Sequence, residues 1–442
     1  MRDASDPRSR RSVKMGDICA ACFEDDDIKT RILAEAEEPG CYYCGEDDAP
    51  TMDFEALADF IRKRLLMFWS LAIEVLLYDD ESESGFGGDT WTTAEILFDE
   101  VALELPRAAD GSLRAALVTA LGEELWCDLD PARLPVNQAM VMDWEQFARR
   151  AICDGQAVMD VIDPDSEYDD SMPPGLVLPH LASTIDRFGL VAIWPAGYRL
   201  FRARPRDAGQ HFSRPSDLGP PPVERATQSN RMNPIGDPML YGAERATTAV
   251  VEAGAPLLSI GLFSVEREIR LLDLADLPPA PGIFSSKPAD DIQTMWFLHR
   301  FASLISLPVA RIEGFVPEYV PTQLMTSFLR QHPFDGGPID GIRYRSAASS
   351  DGNASPAANV VLFATDADVW TDDDDVARRP YLRLLAPFQY PDEREMLAAA
   401  DNASVRASQR RVAPLVDPPT MEPLPLLAWP GDDDGKRRSQ IL

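Results

Sequence analysis

Three side chains of contrasting chemistry share one turn-rich stretch. They are Arg231 in Asn-Arg-Met-Asn-Pro, Tyr241 at the end of Ile-Gly-Asp-Pro-Met-Leu-Tyr, and Glu252 closing an alanine-rich segment. A guanidinium can grip an anion through paired charged hydrogen bonds, a phenol can stack its ring and present its hydroxyl, and a carboxylate can stabilise positive charge. A structural scaffold rarely needs that mixture. Two further polar stations flank the stretch, Arg202 in Leu-Phe-Arg-Ala-Arg and Ser346 in Gly-Ile-Arg-Tyr-Arg-Ser. Each alone reads as a surface or turn residue, the usual place of such side chains. The combination points to a site.

A second chemistry is written in cysteine. Cys19-Ala-Ala-Cys22 and Cys41-Tyr-Tyr-Cys44, eighteen residues apart, have the spacing of a tetrahedral zinc site made of four thiolates. Gly40 and Gly45 flank the second pair, as tight metal-binding turns prefer. Four protein ligands leave no place for water, so the expected Zn2+ is structural. Cys127 and Cys153 are expected as buried thiols.

The elements that must carry these groups follow from hydrophobic period and turn punctuation. A helix is expected from Asp25 to Glu37, turning Ile28, Ile32 and Leu33 inward. A longer one follows over Asp53 to Leu77, whose apolar end, Leu65 to Leu77, reads as buried core and is too short to span a bilayer. Thr92-Thr-Ala-Glu95 has capping-box spacing, and Asp143-Trp-Glu-Gln146 reads as a second such start. Short apolar runs then alternate with turns: 198–201, 239–241, 257–263, 269–272, 342–344 and 360–363. Helices are expected over 181–188, 243–252, 291–306 and 322–331, with Ala249 and Val250 facing inward. Strands and helices do not alternate regularly, so the fold class is α+β. The expected division is a lead-in over 1–14 with Met15 as functional start, a zinc-headed helical domain over 15–162, an acidic proline-rich linker with a short helix over 163–189, a second domain over 190–365, and an acidic extension over 366–442.

Composition narrows the function. Seventy-three acidic against 42 basic residues give a net charge of −31 over 442 residues, which argues against broad nucleic-acid binding because phosphate neutralisation needs a basic surface. The charged N-terminus carries no apolar run and no secretory signal, so a reducing, cytoplasmic setting without membrane insertion is expected.

The ordered blocks carry a resemblance. Leu-Phe-Arg-Ala-Arg204, Leu218-Gly-Pro-Pro-Pro222, Asn230-Arg-Met-Asn-Pro-x-Gly-x-Pro-x-Leu-Tyr241, Thr248-Ala-x-x-Glu252, Pro321-Thr-Gln323, Gly341-Ile-x-Tyr-x-Ser346 and Asn359-Val-Val-Leu-Phe363 resemble a RES domain over about 190–365. The cysteine-headed region is similar to the HEPN-like domain that precedes RES in fused bacterial proteins. The resemblance implies a fold like that of ADP-ribosyltransferases and an enzyme that degrades NAD at the nicotinamide-ribose bond, with water or phosphate as acceptor. Its usual setting is a toxin-antitoxin module, so an antitoxin or regulatory protein is an expected partner. Carried over by motif, Glu252, Arg231 and Ser346 are the catalytic candidates, while Arg202, Arg231, Tyr241 and Asn359 are the substrate-binding ones. Transfer of ADP-ribose to a protein, or a zinc-containing sensor with an inactive RES-like domain, are the alternatives. Asn230 stands where the family often has glycine, and no Arg-x4-6-His follows Trp144, so a second, RNA-cleaving activity is not expected.

Overall fold

The computed structural model describes residues 16–106, 112–162, 171–307, 316–346, 358–371 and 380–408. The expected lead-in and Met15, residues 163–170 of the linker, the acidic run 372–375 and the tail beyond 408 lie outside them. The described chain packs as two compact units, one formed by residues up to Pro135 with Pro281–Gln293, the other by Val136–Ala280 with the residues from Thr294 onward.

The first unit begins with strand β1 (Asp17–Cys19), helix α1 (Asp26–Ala34) and strand β2 (Thr51–Asp53), with β1 and β2 antiparallel. Asp25 caps α1 by accepting the Ile28 amide at 2.9 Å, and Ile28 and Ile32 are fully buried. Leu33 is 58% exposed, against expectation, because a spacing of five carries it off the face shared by residues four apart. Helix α2 (Phe54–Leu65) buries Phe54, Leu57, Ile61 and Leu65 and closes on Arg62, Lys63 and Arg64, a charge that suits a helix C-terminus.

The apolar run after Leu65 is not a core helix. Its Trp69–Leu71 is strand β3, its Ala72–Val75 only a turn of helix α3, and Ile73 and Leu77 are 76% and 85% exposed. The aromatic and β-branched content favours pairing over helix propagation, and β3 finds its partner in β5 (Leu125–Asp128), which also pairs β4 (Trp91–Thr92). Helix α4 (Thr93–Glu95) has the expected capping box, Glu95 Oε2 accepting the Thr92 amide at 2.7 Å and the Glu95 amide reaching Thr92 Oγ1 at 3.2 Å. Helix α5 (Ser112–Leu121) completes the unit. Cys127 is buried as expected, but Cys153 is exposed.

The second unit is built on a nine-stranded sheet among the described residues. Its strands are β6 (Val191–Trp194), β7 (Tyr198–Pro205), β8 (Leu240–Ala243), β9 (Leu258–Val265), β10 (Ile269–Asp273), β11 (Gly341–Arg345), β12 (Ala358–Leu362), β13 (Val369–Trp370) and β14 (Leu382–Tyr390). They lie in the order β13-β14-β9-β7-β8-β12-β11-β10-β6. Only β10–β11 and β13–β14 are parallel. Helices α6 (Val136–Asp154), α7 (Pro174–Arg187), α10 (Ala289–Ser306) and α11 (Val320–Gln331) bury Trp144, Phe147, Leu181, Phe301 and Met325 with the sheet residues Ile342, Tyr344 and Val361. Asp143 is no cap: it sits inside α6, where its carboxylate accepts the Met172 amide at 2.9 Å. Trp194, Leu200, Phe263 and Leu362 belong to a separate apolar cluster. Helix α8 (Pro215–Leu218) is a short turn beside β7.

Helix α9 (Ala246–Ala253) packs Ala246 and Ala249 against Phe201 and Leu262, and helix α12 (Arg394–Ser408) adds Leu397 to the same cluster. The α9 N-cap, Arg245, makes no side-chain cap bond; Asp401 of α12 supplies one, accepting the Ala246 amide at 3.1 Å while only 6% exposed. Asp401→Ala should therefore destabilise the unit by about 1–2 kcal/mol, as loss of an N-cap does. Urea unfolding of the variant checks this, and an unchanged midpoint would count against the cap.

Candidate active site and metal centre

Glu252 lies near the C-terminus of α9, which ends on Gly254 in the left-handed region at φ 63. Its Oε1 accepts two hydrogen bonds, from Ser346 Oγ at 2.5 Å and Asn359 Nδ2 at 2.8 Å. These donors are distant in sequence, and the sheet delivers them. Strands β11 and β12 pair antiparallel with Tyr344 opposite Asn359. Side chains two residues apart share a face, so Tyr344, Ser346 and Asn359 sit together. Close strand approach requires Gly341, where a Cβ would stand 2.2 Å from Val361 O.

Arg231 is carried by a turn that other motif residues clamp. Asn230 and Asn233 exchange backbone bonds of 3.0 and 3.3 Å. Gln323 Nε2 donates to Asn230 O at 2.8 Å and to Asn233 O at 3.1 Å, and Thr322 Oγ1 donates to Arg231 O at 2.5 Å. The Pro-Thr-Gln block at the start of α11 is thus the clasp of the Asn-Arg-Met-Asn turn. Tyr241 belongs to the same clasp, its hydroxyl donating to Asn233 Oδ1 at 2.6 Å and accepting the Met232 amide at 3.1 Å. Tyr241→Phe would leave the Asn233 oxygen, in a residue 2% exposed, without this donor. The expected loss is about 1–3 kcal/mol, readable by chemical denaturation; no loss would mean that the turn is held elsewhere.

The Arg231 guanidinium donates Nη1 to Ile305 O and Nη2 to Leu307 O, each at 2.5 Å, at the end of α10. A cation there complements the helix dipole. The Tyr319 ring lies 5.8 Å from Arg231 Cζ. Burial pushes the Tyr344 phenol up to about 12, with Arg231 lowering it and Glu252 and Tyr319 raising it, so these groups share one electrostatic neighbourhood. Burial likewise pushes Tyr241 well above the usual phenol range, and Tyr344, Arg231 and Tyr319 act on it too.

Arg202 reaches this neighbourhood through Tyr241. Burial lowers its guanidinium to about 10, with Arg204 adding to the fall and Tyr241 opposing it. It therefore stays protonated at neutral pH. Strands β7 and β8 pair at Phe201 and Ala243, immediately before Arg202, whose buried Nη1 has no partner among the described residues. An orphaned charged donor of this kind is costly unless something else satisfies it.

Every candidate site residue named from sequence in this unit thus falls within or beside one neighbourhood: Glu252, Ser346 and Asn359 in direct contact, and Arg231, Tyr241 and Arg202 near enough to act on the titration of its groups. Sequence reasoning gave no role to Arg343 and Tyr344, which lie inside the Gly341 to Ser346 block, and passed over Tyr319. Arg343 alternates with Tyr344 along β11. It is 5% exposed, bonded to Glu244 by Nε and Nη2 at 3.0 Å each and to Asp273 by Nη1 at 2.8 Å. Burial pulls its pKa down, but the Glu244 hydrogen bonds and both carboxylates outweigh that and raise it. The pairs tie β11 to β10 and to the residue after β8.

In the first unit the four expected cysteines converge. All four Sγ atoms lie within 4.8 Å of one another, with Cys19–Cys22 at 3.8 Å, Cys19–Cys44 at 3.5 Å and Cys22–Cys41 at 3.6 Å. A metal-sulfur bond of about 2.3 Å in a tetrahedron demands sulfur-sulfur edges of about 3.8 Å, so the group can hold a metal ion. Gly40 and Gly45, at φ 118 and 74, allow the second turn. Cys19, Cys22 and Cys41 are buried.

Comparison with known families finds two matches, the first of which runs past Pro135 into α6 of the second unit. Residues 34–152 match HEPN/RES N-terminal domain 1, and residues 180–384 match the RES domain. No curated protein and no solved structure matches the chain significantly. Among the described residues no helix is long and apolar enough to cross a membrane.

Proposed function

We propose that this RES domain, preceded by its HEPN/RES N-terminal domain, is an NAD glycohydrolase or phosphorylase that cleaves the nicotinamide-ribose bond. A RES domain is consistent with an NAD-processing toxin in general; the convergence of Ser346 and Asn359 on Glu252 is the observation that supports the specific reaction. NAD brings a pyrophosphate, two sugars and two aromatic rings. Arg202, with its unpartnered buried donor, and Arg231 supply fixed positive charge for the pyrophosphate. In the reaction the C1′–N bond breaks, its electron pair leaves with neutral nicotinamide, and positive charge grows on the ribose. Glu252, held by two donors against rotation, places negative charge beside that centre. The ribosyl cation is then captured by water or phosphate oxygen at C1′, with a proton lost from the attacking oxygen when it is water. Ser346 and Asn359 act as orienting donors for the carboxylate.

The metal we assign to the four cysteines is Zn2+ in a structural role, since a four-thiolate tetrahedron leaves no open coordination position. The biological role that goes with this reading is that of a bacterial toxin or defence effector restrained by a neutralising protein. Incubation with NAD labelled in the adenosine half separates the acceptors: small labelled products fit the proposal, whereas label on macromolecules would replace it with protein ADP-ribosylation.

A further inference from the structure

Three tyrosines surround Arg231, and their commitments differ. Tyr241 spends its hydroxyl on Asn233 and the Met232 amide and packs against the helical core. Tyr344 is 8% exposed, belongs to the same core and shares a hydrogen bond with the Asn359 side chain. Tyr319 is half-buried, and its hydroxyl makes no hydrogen bond among the described residues. Its backbone is nonetheless fixed, the amide donating to Val316 O at 3.1 Å and the carbonyl accepting Thr322 Oγ1 at 3.0 Å. The same Thr322 hydroxyl holds Arg231 O at 2.5 Å. One hydroxyl proton, shared between the two carbonyls, thus links the backbone of the arginine to that of the aromatic residue beside it.

The guanidinium is pinned as firmly by Ile305 O and Leu307 O, with the Tyr319 ring 5.8 Å away. A pinned cation beside a half-exposed aromatic ring on a fixed backbone suits a nucleotide, whose ribose joins a phosphate to a planar base: the charge takes the phosphate and the ring takes the base. We propose that Tyr319 is a binding residue of the site, the platform on which one aromatic ring of the dinucleotide rests while Arg231 holds the neighbouring phosphate. This rests on the NAD reading above and names a side chain that the motif blocks leave out. Tyr241, the tyrosine suggested by sequence, becomes in this assignment a positioning residue that shapes the Arg231 turn.

The test uses the full chain and NAD itself. Tyr319→Phe keeps the ring and should bind NAD within about twofold of the parent, whereas Tyr319→Leu removes it and should weaken binding about tenfold, the scale of one lost base-aromatic stack. The turnover number of Tyr319→Leu should stay within about threefold, because the platform does not touch the bond that breaks. A merely structural role predicts the opposite split, with thermal stability and turnover falling together. If Tyr319→Leu fails to fold, Tyr319→Trp carries the test and should bind at least as tightly as the parent. Equal affinity for parent and Tyr319→Leu, or a tenfold loss in Tyr319→Phe or Tyr319→Trp, overturns the platform. A parent protein that binds no NAD overturns the NAD reading instead, so the two failures are distinguishable.

Discussion

Glu252→Gln is expected to lower the rate of nicotinamide release about 10³-fold, the order of effect seen when a charge aimed at a transition state is removed. The substitution is nearly isosteric, and its amide oxygen can still accept from Ser346 and Asn359, which now meet Oε1 at 2.5 and 2.8 Å. Shape and stability should therefore persist. What disappears is the negative charge, which matters most when the ribose becomes cationic. Affinity for NAD should accordingly change only a few fold, because the ground state carries less positive charge at that carbon than the transition state does. Turnover and equilibrium binding measured on one preparation separate the effects. Equal losses in both would show that Glu252 binds substrate without favouring the transition state. Arg231→Ala should behave in the opposite sense, weakening affinity at least as much as turnover, and it should also release the carbonyls at the end of α10.

Removal of the metal is the second large effect expected. Helix α1 buries only Ile28 and Ile32, and β1 pairs with β2 over three residues. Such short elements hold little free energy alone, whereas structural zinc in small peptides contributes about 10–16 kcal/mol at neutral pH. Freshly purified, reduced protein should carry one equivalent of zinc. A strong chelator, or Cys22→Ser, should unfold the segment from Asp17 to Asp53 and lower the melting temperature of the first unit. Fewer than about half an equivalent of zinc, or an unchanged melt after chelation, would contradict the structural metal.

Much of the second unit is legible from pattern. The runs at 198–201, 257–263, 269–272, 342–344 and 360–363 became β7, β9, β10, β11 and β12, because apolar, β-branched segments between turns leave little alternative. Strand β14 was hidden. Pro387 and Arg383 interrupt its pattern, and a register shift between Leu384 and Ala386 breaks the alternation that marks a strand. The sheet therefore extends beyond residue 365, where composition had suggested that the second domain ends. The run from Leu65 to Leu77 misled for a different reason: hydrophobic content without a buried face cannot distinguish a core helix from a short strand with exposed flanks.

The site was legible where chemistry is unusual and illegible where it is ordinary. Four matched cysteines leave little ambiguity, and Arg231, Tyr241 and Glu252 stood out as a mixture. Nothing in the local sequence distinguishes Tyr319 from any surface tyrosine; its position beside Arg231 is set by Thr322, which bonds both backbones. The role of Asp401 depends equally on a long-range contact, as it caps a helix 155 residues away. Such residues become visible only when the chain is folded.

The most direct measurement follows nicotinamide release from NAD by the purified full-length protein, with and without inorganic phosphate, beside Glu252→Gln. An NAD-cleaving site centred on Glu252 predicts steady release by the parent, near-silence in the variant, and a phosphate-dependent product if phosphate is the acceptor. NAD left intact over hours by folded, zinc-loaded parent protein in both conditions would contradict it.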